Sequence, residues 1–249
     1  MAEDKAARDY LQDALLYGIY SYENSRALVF KGGTALRKVY SLDRYSDDID
    51  FSLDETKLSL PVPKFIHALR DHTVAALSPS YNARIYFHRI SSKAAFVQYN
   101  ADAYISDMQG NSATIELNVR LAKIYLATEE KRITTPRVTY FANAMNIDEI
   151  LAEKVRAIFT RRNINDMVRD VVDLDYIKNI GGVARKEIIE AKLREDKITK
   201  LSFKRLKSRL DAITDKTWSD GLSDLMARIP NKAEMIKSVE ELLQNVAKP

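Results

Sequence analysis

The sequence predicts an α+β fold: a mixed sheet with flanking helices over residues 1–140, followed by a helical domain over residues 141–249. Three observations carry this. Strand-like and helical segments interleave up to residue 119. A Gly32-Gly33 turn joins a short apolar strand to a helix, and from Ile147 to the end a helical period dominates. At 249 residues the chain suffices for one large domain or two smaller ones, each with its own core.

The elements follow in order. Ala7, Leu11, Ala14, Gly18 and Tyr22 recur every three or four residues and predict a helix over 6–22. Ala27–Phe30 reads as a buried strand, Thr34–Tyr40 as the start of a helix and Ile49–Leu53 as a second strand. A helix opens near Pro63, at a favoured first-turn position, with apolar spacing at Phe65, Ile66, Leu69, Thr73 and Leu77. Ala83–Ile90 and Ala94–Asn100 alternate around Ser91-Ser92-Lys93, as a hairpin does. A polar turn at Asp107–Ser112 leads to Ala113–Val119, a half-buried strand with Glu116 on its polar face. Ile147–Arg162 is an amphipathic helix with Asn146 and Glu149 as its capping pair. Later breaks fall at Asn163–Asn165, Gly181-Gly182, Thr214–Ser219 and Pro230, and no internal repeat is visible.

Composition narrows the chemistry. With 46% hydrophobic and 30% charged residues, this is ordinary globular sequence. There is no cysteine, which excludes disulfides, thiolate zinc sites and cysteine nucleophiles. The histidines, His67, His72 and His88, are too few and wrongly spaced for a histidine metal site. The polar N-terminus is no signal peptide and no apolar window reaches membrane-spanning length, so the expected compartment is the cytoplasm. The net charge of +4 is unevenly placed. Residues 1–149 hold 18 basic and 19 acidic side chains, residues 150–249 hold 21 and 16, and 184–209 alone hold ten and four. That distribution fits either a polyanion partner or a solvated helical surface.

Three features carry chemistry. Strand, Gly32-Gly33-Thr34, then helix is either a tight turn or a place where backbone N–H groups meet a phosphate. It is not a Walker loop, because the Gly-Lys-Ser/Thr ending is missing. Asp48 and Asp50, two apart on a strand, share one face while Ile49 and Phe51 take the other. The pair is either a solvated strand start or a hard-oxygen site whose repulsion a divalent cation relieves. Glu116, on a later strand, means little alone. Together the three place a phosphate cradle beside a three-carboxylate metal site, the arrangement for two-metal nucleotidyl transfer.

Lys154 falls in the middle of the stripe formed by Ile147, Leu151 and Ile158, at about 100° per residue. A lysine buried without a partner is costly, so it either snorkels out or meets an anion, a structural carboxylate or a nucleotide phosphate. Asp166, Asp170 and Asp173 lie within about a 60° arc of the next helix, opposite Val168, Val171 and Val172. They read as a solvated face, or as acids facing the cleft and pairing with Lys154. Ser46 and Arg44 lie beside the acidic strand, in reach of phosphates. Tyr81, Tyr86, Phe87, Phe96, Tyr99 and Tyr104 read first as hairpin core, and otherwise as base-stacking residues.

The motif Lys31-Gly32-Gly33-Thr34-Ala35-Leu36-Arg37-Lys38, with Arg44-Tyr45-Ser46-Asp47-Asp48-Ile49-Asp50-Phe51, resembles the AbiEii/AbiGii toxin family. That family lies within the DNA polymerase beta superfamily of nucleotidyltransferases and includes the MenT-type tRNA-modifying toxins. Leu151-Ala152-Glu153-Lys154-Val155-Arg156-Ala157, Arg161-Arg162 and Arg169-Asp170-Val171-Val172-Asp173-Leu174 resemble its later motifs. The resemblance spans roughly residues 25–180.

It implies a polymerase-beta-like sheet domain and transfer of NMP from an NTP to a hydroxyl acceptor. The implied acceptor is the tRNA 3′ end, and the implied consequence is blocked translation. Asp48, Asp50 and Glu116 are then the ligands of two Mg²⁺ ions. Gly32, Gly33, Thr34, Lys38 and Ser46 meet the nucleotide, Lys154 neutralises triphosphate charge, and Asp170 contributes to activity. The expected partners are NTP, tRNA through the basic C-terminal half, and a cognate antitoxin, with no membrane. The competing readings are a transferase acting on a small molecule or a protein, and a non-catalytic nucleotide- or RNA-binding module of the same fold.

Overall fold

A computed structural model describes residues 5–92 and 96–247. Lys93, Ala94 and Ala95 of the expected hairpin lie outside the described residues. The chain forms two compact units. Met1–Ser41 and Tyr45–Met145 make the first, and Leu42–Arg44 with Asn146–Pro249 make the second.

In the first unit, helix α1 (Lys5–Tyr20) precedes strand β1 (Leu28–Lys31), and helix α2 (Gly32–Tyr40) follows at once. Strand β2 (Ile49–Leu53) and helix α3 (Val62–Leu77) come next. Then come five strands: β3 (Tyr81–Ser92), β4 (Phe96–Asp107), β5 (Ser112–Leu121), β6 (Glu129–Thr134) and β7 (Thr139–Ala144). All seven strands of the described residues form one mixed sheet, in the order β3-β4-β5-β2-β1-β7-β6. β2 runs parallel to β5 and β1 parallel to β7, while the other neighbours are antiparallel.

Period-two alternation decides what each face carries. Ile49, Phe51 and Leu53 of β2 join Ile115, Leu117 and Val119 of β5 in the core. Leu11, Leu15 and Ile19 of α1 and Phe65, Ile66 and Leu69 of α3 complete that core. The opposite face of the same strands carries polar and charged residues. α1 and α3 cross closely at Gly18, where a Cβ would meet Leu77 Cγ at 3.0 Å and Thr73 Cγ2 at 3.1 Å.

Two strands were absent from the sequence expectation. β6 is an edge strand in which only Ile133 is buried, so its charged face hides the strand pattern. β7 does alternate, but its inward residues are Tyr140, Ala142 and Ala144, which give little hydropathic contrast. The hairpin is also longer than expected, with β4 running on to Asp107.

The second unit is helical: α4 (Ile147–Thr160), α5 (Ile164–Asn179), α6 (Lys186–Glu195), α7 (Phe203–Asp211), α8 (Asp215–Leu222) and α9 (Lys232–Ala247). α8 forms where the sequence showed a break, because Thr214 caps it by accepting the N–H of Thr217. α5 is surrounded by α4, α8 and α9. It is therefore buried on its acidic side as well as on its valine side, and the solvated-face reading of Asp170 and Asp173 does not hold. Among the described residues, no helix is long and apolar enough to cross a membrane.

The α1–α3 crossing leaves no room for a branched side chain. Gly18→Val should destabilise the protein by about 1–3 kcal/mol, read by urea unfolding. Unchanged stability would show that the crossing relaxes freely.

Candidate active site

β1 hands directly to α2 through Gly32, whose φ of 79° favours glycine. A Cβ here would lie 3.1 Å from both Cβ and Cγ of Asp50, and closer still to its Oδ2. The missing side chain is what lets the carboxylate pack onto the start of the helix. Lys31 and Asp50 are register partners across β1 and β2. Asp50 in turn pairs with Asn118 of β5, and Asn118 with Asn100 of β4. Register partners share a face, so these four form one polar row.

Glu116 lies two residues before Asn118 on that face, opposite Asp102, and its Oε1 accepts Asn100 Nδ2 at 3.1 Å. Asp48 immediately precedes Ile49, and Ile49 pairs with Leu117, which immediately follows Glu116. The sheet thus brings Asp50 and Glu116 to one face of two parallel neighbours, and Asp48 stands one residue before β2 begins. Among the described residues, no three Asp, Glu, His or Cys side chains converge tightly enough to form a ready metal cage. The oxygen-only donor set is of the kind that suits a hard divalent cation.

The approach to Asp48 is fixed by two buried side chains. Gln12 of α1 donates Nε2 to the carbonyls of Ser46 at 2.8 Å and Asp47 at 3.1 Å. Thr34 donates its hydroxyl to the Asp48 carbonyl. Thr34 is fully buried, so its hydroxyl holds the acidic strand to α2 instead of meeting a nucleotide. Sequence reasoning missed Gln12. Its signal was a polar residue on the apolar side of α1, where a hydrogen-bonding task is expected.

Lys38 departs from its expected role. Its ammonium contacts the Asp9 carboxylate at 2.8 Å, the Asp9 carbonyl at 2.9 Å and the Asp13 carboxylate at 2.8 Å, and the side chain is 7% exposed. It fastens α2 to α1 and is not offered to a triphosphate. Asp13 also accepts the Tyr140 hydroxyl at 3.0 Å, and burial raises its pKa despite Lys38.

Lys154, in the second unit, meets carboxylates. Its Nζ lies 3.0 Å from Asp170 and 2.6 Å from Asp173. Arg44 grips Asp173 with Nε and Nη2, both at 2.9 Å, and Arg161 Nε bonds Asp170 at 2.6 Å. Arg44 is 2% exposed, so it serves this network and not a phosphate. Burial works against the Lys154 charge, but Asp173 and Asp170 outweigh it and its pKa is raised. Burial likewise pushes the Asp173 carboxyl up, but Arg44 and Lys154 outweigh that and hold it below the ordinary carboxylate range.

The basic stretch is largely occupied internally. Lys192 is buried between Glu149 and Glu153, both at 2.8 Å, so Glu149 joins α4 to α6. Arg185 pairs with Asp148. Arg209 donates to the Ile158 and Arg161 carbonyls and Arg205 to that of Phe159, at the C-terminal end of α4. Arg194, Lys197, Lys200 and Lys204 are exposed.

The class of protein is that of the nucleotidyltransferases, for which a glycine-started helix against an acidic strand is the expected arrangement. Residues 14–245 match the family of nucleotidyl transferase AbiEii toxins of type IV toxin–antitoxin systems, and the chain belongs to that family. Its fold is similar to that of MenT4, a nucleotidyltransferase toxin of Mycobacterium tuberculosis H37Rv. The TM-score is 0.71 at 17% identity, covering 99% of this chain and 85% of that one. JHP933 from Helicobacter pylori is similar with a TM-score of 0.58 at 18% identity, covering 99% and 93%. No protein of curated function matches the sequence.

Two measurements test these assignments. Lys38→Met should cost about 3–5 kcal/mol by taking the cation from Asp13, while Arg37 still holds Asp9 and the KM for NTP is unchanged. A raised KM with normal stability would restore the phosphate role. Asp173→Asn should lower stability by a similar amount, about 3–5 kcal/mol, at pH 7. Because the folded pKa of Asp173 is depressed, its contribution is full above the unfolded value and fades as pH falls below about 4. Unfolding curves of the two proteins should therefore converge in acid, and a gap independent of pH would refute the ion-pair account.

Proposed function

We propose that this toxin transfers NMP from an NTP to a hydroxyl at the 3′ end of tRNA, releasing pyrophosphate and blocking translation in the cytoplasm. The observation that carries this reading is the packing of Asp50 against Gly32, with Glu116 on the same sheet face and Asp48 just ahead of β2. Asp48 and Asp50 would hold two Mg²⁺ ions, with Glu116 completing the set beside the attacking hydroxyl, and the metal supplies Lewis-acid stabilisation of charge. Gly32 and Gly33 give the triphosphate access to free N–H groups at the start of α2, where the helix dipole favours an anion. Ser46 lies two residues before Asp48, in reach of the same phosphates. Gln12 and Thr34 keep the acidic strand in place by holding three consecutive carbonyls, those of Ser46, Asp47 and Asp48.

Lys154 and Asp170 take positioning roles within the helical unit, since both are bonded to buried partners. The tRNA backbone would be met by the exposed Arg194, Lys197, Lys200 and Lys204. A cognate antitoxin follows from the family.

The test is incubation with total tRNA and each α-labelled NTP in turn, followed by a denaturing gel. Asp48→Asn and Asp50→Asn should abolish labelling while melting temperatures stay near that of the wild type. Full activity in either variant would sink the metal assignment. Binding to tRNA should fall steeply with salt. A salt-independent acceptor interaction would point to a small molecule or a protein instead.

A further inference from the structure

We infer that the outer face of β3 and β4 is a stacking platform for the last bases of a single-stranded RNA acceptor. Tyr86 is its first step and the Arg84–Tyr104 pair its second. This rests on the transferase reading above and says where its acceptor lies.

Alternation splits the aromatic residues of the hairpin between two faces. Tyr99 is buried and Phe87 packs against the core, while Tyr86 and Tyr104 fall on the face that carries the acids. Tyr86 is the register partner of Asp102, and Asp102 is the partner of Glu116. Tyr86 therefore lies in the same cross-strand row as Glu116, two strands out, about 10 Å away at ordinary strand spacing. It is 66% exposed.

Tyr104 pairs with Arg84 and with Thr114, two residues along the strands from that row, or about 7 Å. The Arg84 guanidinium lies over the Tyr104 ring, 5.0 Å from its centroid. This is a flat cation–aromatic surface of the kind that accepts a base.

Charge selects the bases over the backbone. Asp102 and Glu116 follow Tyr86 inward along its row and repel phosphates, whereas a neutral base carries no charge for them to repel. Gln98 and Asn100, hydrogen-bonded to each other at 2.8 Å on this face, offer amides to base edges. Unpaired 3′ nucleotides are the acceptor that presents bases in this way.

The experiment is fluorescence anisotropy of the full chain with a 5′-labelled single-stranded ribo-oligonucleotide bearing a free 3′ hydroxyl, in magnesium buffer without NTP. Tyr86→Ala should weaken binding about tenfold, while Tyr86→Phe and Tyr86→Trp retain it. In transfer assays the loss should appear in the KM for RNA and not in the KM for NTP. Equal binding by wild type and Tyr86→Ala, or no binding by the wild type, overturns the platform. Binding that depends on Tyr86 without any nucleotide transfer upholds the platform and overturns the transferase reading. Label arriving on protein instead of RNA, with Tyr86→Ala unaffected, overturns the platform and the RNA acceptor together.

Discussion

The place where a side chain at position 32 would stand is taken by the Asp50 carboxylate. This close approach ties together the two halves of the proposed site. It requires a residue at ease with a φ of 79°, a helix that starts immediately after β1, and a β1–β2 register that sets Lys31 opposite Asp50. A change in one of these would displace the proposed phosphate cradle and the proposed metal acid together. Thr34 and Gln12 reinforce the arrangement from the buried side, by occupying the carbonyls that lead into the acidic strand. The phosphate end and the acid end of the site therefore form one packed object.

Three lysines are deployed inward. Lys38 is enclosed by Asp9 and Asp13, Lys192 by Glu149 and Glu153, and Lys154 by Asp170 and Asp173. An unpaired buried ammonium would cost several kcal/mol, and two acids per lysine, with good hydrogen bonds, offset that. In the second half Asp170, Asp173 and Asp175 are buried alongside Lys154 and Lys192, so burial does not diminish the basic surplus at the surface. Arg205 and Arg209 go to carbonyls at the end of α4, where a cation also complements the helix dipole. Arg185, Lys186, Arg194, Lys197, Lys200, Lys204, Arg205 and Lys207 all reach solvent.

Local pattern was legible and long-range partnership was not. Strand, glycine pair and helix, followed by Asp48-Ile49-Asp50, announced the site because period-two alternation and glycine conformation act within a few residues. The α+β class and the helical second half were legible for the same reason. The tasks of Lys38, Arg44 and Lys154 depended on partners 16 to 129 residues away, and periodicity carries no information about them. The apolar stripe places Lys154 where it must snorkel out or meet an anion, yet placement alone could not say which. β6 and β7 escaped because a charged edge and small alanines mute the hydrophobic signal on which strand recognition depends.

The polar sheet face argues for function on energetic grounds as well. Aspartate is a poor strand residue, and like charges on neighbouring strands are destabilising. Asp50, Asp102 and Glu116 nevertheless share one face of β2, β4 and β5, with Asp48 just ahead of β2. A sheet built for stability alone would place threonine or valine there. Rigid central strands are also the elements that hold carboxylates most exactingly, since their backbone positions are fixed on both sides by ladder hydrogen bonds. The local conflict between sequence and strand is therefore concentrated where rigidity and negative charge are both needed, which is where a folded protein is expected to violate its own packing rules.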